Sequence, residues 1–167
     1  MTAALHPQVA ALAFLLGTWE GEGTGQYPTI EGFVYREQVS FSHNGKPMLA
    51  YSQRTWHAGD GRPLHAETGY FRGFGDSRVE VVLAHPTGVV EVCAGEVFAT
   101  SLRLRTSTVV GTPTAKPVEA LERDIEVEGD TLRYAVRMAA VGQPLTHHLA
   151  AELHRVRPTA DSPVTTP

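Results

Sequence analysis

The chain has one cysteine, Cys93, and two lysines, Lys46 and Lys116, in 167 residues. A lone cysteine excludes an internal disulfide and any cysteine-built zinc site. It also fits a reducing compartment. Charged residues are sparse at 19%, and the net charge is −4. That balance argues against nucleic acid as a main partner. The apolar run over residues 9–16 is too short to span a membrane. The N-terminus also lacks the basic start of a secretory signal. A cytoplasmic protein without a membrane partner is therefore expected. Helical periodicity is scarce as well. Only residues 5–16 show it in part, with Val9, Leu12, Ala13, Leu15 and Leu16 in the pattern and Pro7 suited to a first turn. One short helix is predicted there, closing one end of the molecule.

What remains is glycine-punctuated and strand-like. Residues 17–30, GTWEGEGTGQYPTI, place Gly17, Gly21, Gly23 and Gly25 around Trp19. Glycine within a strand marks a bend or a close approach of another group. Trp19 is large enough to plug one end of a closed sheet, and residues 27–30 read as a loop near the opposite mouth. Gly-x-Trp near the start of a barrel also occurs in lipocalins.

Alternating runs then follow one another, with short turns between them. Strands are predicted at 33–42, 48–57, 63–74, 78–84, 89–92, 97–108, 118–127, 131–140 and 146–156. His43-Asn44-Gly45 has the chemistry of a tight hairpin. Residues 109–117 read as a longer loop. In the run 131–140, Leu132, Tyr134, Val136 and Met138 share one face. Glu37 interrupts an apolar face and requires a partner if it points inward. About ten antiparallel strands with no covering helix favour closure into an up-and-down β-barrel. Such a barrel is wide enough to hold one ligand. A single all-β domain is expected over residues 1–157, with a flexible Pro/Thr/Ser-rich tail at 158–167.

Eight histidines stand out: His6, His43, His57, His65, His85, His147, His148 and His154. None sits in HExxH or in a His-x-His pair, so zinc-hydrolase spacing is missing. In the doublet His147-His148, strand geometry lets one side chain point inward. Serine-triad chemistry lacks a GxSxG elbow, and GEGTGQ lacks the lysine and helix of a phosphate loop. Cys93 reads as a wall residue. Glu67 beside His65 makes only a weak acid/base pair.

The segments LLGTWEGEGTGQYPTI (15–30), FSHNGKPMLAYSQ (41–53), PLHAETGYFR (63–72), VVLAHPTGVVEV (81–92), PTAK (113–116) and RMAAVGQPLTHHLAAELHR (137–155) together resemble the nitrobindin family of small heme-binding barrels, its actinobacterial members most closely. The resemblance implies a ten-stranded antiparallel barrel, similar in outline to fatty-acid-binding proteins, with one ferric b-type heme at its mouth. The family's axial histidine follows a QPLxxHL-like pattern. Here that residue is His148, in QPLTHHL, which makes it the implied iron ligand and catalytic residue, with His154 the competitor outside the motif. By the same resemblance Thr29, Leu64, His65, His85, Met138 and Lys116 are implied to contact the heme. Leu64 departs from a family Met, and His85 stands where some relatives have Gln. The implied activity is isomerisation of peroxynitrite to nitrate, with reversible nitric oxide binding. The alternatives are a carrier of a fatty acid or similar apolar molecule, and a nitric oxide sensor. The oligomeric state stays open, a homodimer included.

Overall fold

Ten strands pair in succession: β1 (Gly17–Tyr27), β2 (Ile30–Ser42), β3 (Met48–His57), β4 (Pro63–Gly73), β5 (Arg78–Ala84), β6 (Val89–Phe98), β7 (Ser101–Gly111), β8 (Val118–Glu128), β9 (Thr131–Ala140) and β10 (Thr146–Arg155). All neighbouring pairs are antiparallel, and β1 pairs with β10 to close the barrel. This computed structural model describes residues 3–157, and the tail expected at 158–167 lies outside them. Closure leaves no edge strand, which removes the need for a covering helix.

The alternation read in the sequence sets the inward faces. In β5 the burial pattern alternates without exception, with Val79, Val81 and Leu83 inside. In β9 the cavity is lined by Leu132, Tyr134, Val136 and Met138. Several predicted boundaries shift, and β2, expected from residue 33, begins at Ile30. The strand expected at 89–92 continues to Phe98, and the strand expected from residue 97 begins at Ser101. The missed turn is Ala99-Thr100. Ala99 adopts φ 53°, a left-handed conformation with no Gly or Asn to announce it. β7 also runs to Gly111, which shortens the loop expected at 109–117 to 112–117.

One end is plugged. Pro7–Leu15 form a 3-10 helix that buries Val9, Leu12 and Leu15. Trp19 is fully buried, and its indole N–H donates to the Leu15 carbonyl at 2.8 Å. The Arg155 guanidinium lies 4.0 Å over the Trp19 ring and donates to the Leu16 and Phe14 carbonyls. Phe41, Leu49, Phe71, Val97, Leu102 and Leu153 complete this apolar half. The glycines of β1 permit close strand contact. A Cβ on Gly23 would sit 2.4 Å from the ring of Tyr35, its cross-strand partner, and one on Gly21 would sit 2.1 Å from the Glu152 carbonyl.

Candidate functional site

The other half of the barrel holds a cavity of about 950 Å³. That lies within the range of cavities that enclose a drug- or cofactor-sized molecule, roughly 300–1,000 Å³. All seven residues singled out in the sequence line it: Thr29, Leu64, His65, His85, Lys116, Met138 and His148. They come from the β1–β2 turn, β4, the start of the β5–β6 turn, the β7–β8 loop, β9 and β10. His154 does not line the cavity. It is exposed on β10 and pairs with Glu152 and Thr131.

His148 faces inward because β10 is irregular there. His147 pairs with Arg137 and Leu149 with Val136, so His148 is an extra residue in the ladder. The inward faces of Leu149, Ala151 and Leu153 would, by strict alternation, place His147 inside and His148 outside. The bulge reverses that order at one position. His147 is exposed, while His148 is half-buried and lines the cavity beside Leu149. The His148 ring stands edge-on to Tyr27, with centroids 5.3 Å apart. Its Nδ1 lies 3.0 Å from the Gln26 carbonyl oxygen. A carbonyl only accepts, so the proton sits on Nδ1 and Nε2 carries the free lone pair. Burial pushes the imidazole pKa below its ordinary value, against the Gln26 hydrogen bond and helped by His147. The ring is therefore neutral at pH 7.

Tyr27 holds this corner of the mouth. Its hydroxyl accepts from the Ala140 N–H at 2.9 Å and lies 3.1 Å from the Met138 carbonyl. That ties β1 to β9 across β10.

The cavity is also lined by a group of buried polar side chains, most of them unforeseen in the sequence. Arg123 donates to both oxygens of Glu91 and, at 3.2 Å, to Glu67 Oε2. Tyr51 donates to Glu67 Oε1 at 2.7 Å. Glu37 accepts from Gln53 at 2.7 Å and from Tyr134 at 2.6 Å, and Tyr134 also meets the Tyr35 hydroxyl at 2.7 Å. The partner that Glu37 required is thus supplied. Burial raises the Glu37 pKa to about 7, although the bonds from Tyr134 and Gln53 oppose it. Burial also works against ionisation of Glu91, but Arg123 and His85 overcome it and hold Glu91 at about 2. Alternation marked only Glu37. Glu67, Glu91 and Arg123 also sit at inward-facing positions, and charge at such a position was the signal available.

Cys93 is 1% exposed, and burial raises its thiol to about 12. It is a wall residue, as predicted, and no nucleophile.

A fatty-acid carrier is expected to present a basic side chain inside the barrel. Arg123 is inside, but Glu91 and Glu67 already engage its guanidinium.

The THAP4-like, heme-binding beta-barrel domain matches residues 8–155, nearly the whole described chain. The chain belongs to this heme-binding barrel family. Its relatives include peroxynitrite isomerase 2 of Mycobacterium avium, 56% identical over 92% of this chain and 98% of that one. A peroxynitrite isomerase of Nocardia farcinica is 57% identical over 91% and 93%. The crystal structure of Rv2717c from M. tuberculosis superposes with a TM-score of 0.87 at 48% identity, over 92% of this chain and all of that one.

The cavity residues suit the group that defines this heme-binding family. His148 offers one neutral nitrogen with its proton held away from the cavity. Val136, Met138, Leu64 and Leu149 give an apolar wall, while Lys116 and Arg62 bring positive charge to the lining.

Proposed function

We propose that this barrel binds one ferric b-type heme per chain through His148 Nε2 and isomerises peroxynitrite to nitrate in the cytoplasm. A heme held there would also offer nitric oxide a binding position. The observation that carries the reading is the state of His148. It is half-buried, turned inward by a bulge and neutral, with Nδ1 committed to the Gln26 carbonyl. Neutral imidazole is a suitable iron ligand, and a fixed hydrogen bond at the other nitrogen sets its orientation. The names of the relatives supply the substrate.

The reaction rearranges one anion into another with the same atoms and the same charge, so no external reductant or proton is consumed. Heme supplies the iron chemistry for the rearrangement, and the chain binds, orients and shields. His148 would hold the group, and the edge-on Tyr27 ring limits tilting of the imidazole. Lys116 and Arg62 suit the two heme carboxylates at the mouth. Leu64, Val136, Met138 and Leu149 restrict water beside the reacting centre. Thr29 lies in the turn at the mouth, and His65 and His85 line the wall facing the group.

Stopped-flow decay of peroxynitrite over the hemin-loaded protein tests the activity. Decay that accelerates in proportion to bound heme, with nitrate yield rising over nitrite, is the expected result. Decay at the protein-free rate would overturn it.

A further inference from the structure

The wall of the cavity formed by β4 and the start of the β5–β6 turn brings together two imidazoles and a carboxylate. His65 Nε2 and His85 Nδ1 are 3.0 Å apart. Glu67 Oε2 lies 3.4 Å from His85 Nδ1 and 3.9 Å from His65 Nε2. Ligand atoms about 2.0–2.2 Å from one tetrahedral ion are themselves roughly 3.3–3.6 Å apart. The three observed separations straddle that range, so one ion fits between the three atoms with small side-chain adjustments.

The surrounding groups prepare these atoms for a cation. His85 Nε2 is 2.7 Å from Glu91 Oε1, a close contact that is bent away from a regular hydrogen bond. A carboxylate beside Nε2 keeps the proton there, so Nδ1 accepts the hydrogen bond from His65 Nε2–H, and an ion between the two nitrogens takes the place of that proton, which moves to His65 Nδ1. This carboxylate–histidine arrangement is the usual support for a metal-bound imidazole. The His85 side chain is 7% exposed, so the ring is held. His65 is fixed through its backbone, which exchanges hydrogen bonds with the Thr55 hydroxyl at 3.0 and 3.2 Å. Glu67 Oε1 is bound by Tyr51, which leaves Oε2 toward the histidines. Arg123 also touches Oε2, but Glu91 engages that guanidinium through both oxygens.

We propose that His65, Glu67 and His85 form a second metal site, for a divalent first-row ion of the zinc or iron(II) class. Two imidazoles and one carboxylate are the donor set such ions prefer when a coordination position stays open. All three residues line the cavity, so the open position faces it and can take water or a small anion. The site is distinct from His148. In the closed order β10 and β5 are five strands apart in either direction, which puts His148 and His85 on opposite walls. The proposal does not rest on the heme reading.

The test is titration of the heme-free protein with cobalt(II), followed by its visible d–d bands, and with zinc(II) by calorimetry. The expected result is one ion per chain in the parent and in His148→Ala. Affinity should fall by roughly tenfold or more in both His65→Gln and His85→Gln. His65 is partly exposed, so that variant decides the matter if the His85 variant does not fold. No saturable uptake by the parent, unchanged uptake in the glutamine variants, or loss of uptake in His148→Ala would overturn the proposal. Hemin binding is read separately by its Soret band, so failure of one site leaves the other measurable.

Discussion

His148 Nδ1 lies 3.0 Å from the backbone carbonyl oxygen of Gln26, and His148 is extra to its strand ladder. The β1–β2 register shifts between Gly25 and Tyr27, where Glu31 and Gly32 of β2 oppose the single Gln26, and the β10–β9 register shifts between His147 and Leu149, skipping His148. β1 and β10 are neighbours, and their regular pairing ends at Gly25 and Leu149. The residue expelled from β10 therefore binds the backbone of the neighbouring strand at the mouth. Bulges commonly re-aim a side chain beside a functional site.

That contact makes a prediction about tautomer. In the heme-free protein at pH 7, nitrogen-15 NMR of His148 should show a neutral ring protonated at Nδ1. Its protonation should fall below the ordinary histidine range, because burial disfavours the charged form. A ring protonated at Nε2, or charged at pH 7, would leave no lone pair for a metal in the cavity.

The Tyr27 hydroxyl should matter to both stability and the site. Tyr27→Phe leaves the buried Ala140 N–H without its acceptor and removes the donor to the Met138 carbonyl. The expected loss is about 1–3 kcal/mol in urea unfolding, the cost of an unsatisfied buried donor. Hemin should also bind more weakly, since the ring edge beside His148 is freed.

Glu37 should make stability fall as pH rises. Its folded pKa of about 7 lies above the ordinary carboxyl value. Its contribution is therefore fully present below about pH 4.5 and lost as pH climbs through 7. Burial is the main cause. Tyr134 and Gln53 oppose it, while the Glu67 charge adds to it. Denaturant unfolding at pH 5 and pH 8 should show Glu37→Gln with less pH dependence than the parent, by an amount on the order of 1–3 kcal/mol.

Arg123→Met should be among the most destabilising single changes in the barrel. It leaves the buried Glu91 and Glu67 carboxylates without their counter-charge. Breaking a buried ion pair by removing one partner costs about 3–5 kcal/mol. A melting temperature close to the parent's would contradict this and show that water entering the cluster relieves the charge.

Strands and turns were legible wherever alternation ran between Gly- or Asn-bearing turns. Met48–His57, Arg78–Ala84 and Thr131–Ala140 fall within the predicted bounds. The turn at Ala99-Thr100 was not legible, because an alanine at φ 53° carries no compositional mark. The lining residues followed from the family resemblance, and all seven meet in one cavity. Periodicity alone would have chosen His147 over His148, since only pairing across strands reveals the bulge. Glu91 and Arg123 lie 32 residues apart in sequence on β6 and β8. No local pattern joins them; barrel closure does.

The most direct test of His148 is hemin titration of the purified heme-free protein beside His148→Ala, followed by the Soret band. The parent should saturate at one heme per chain, and the variant should lose at least roughly tenfold in affinity. A variant that takes up stoichiometric heme with an unchanged Soret band would contradict His148 as the iron ligand.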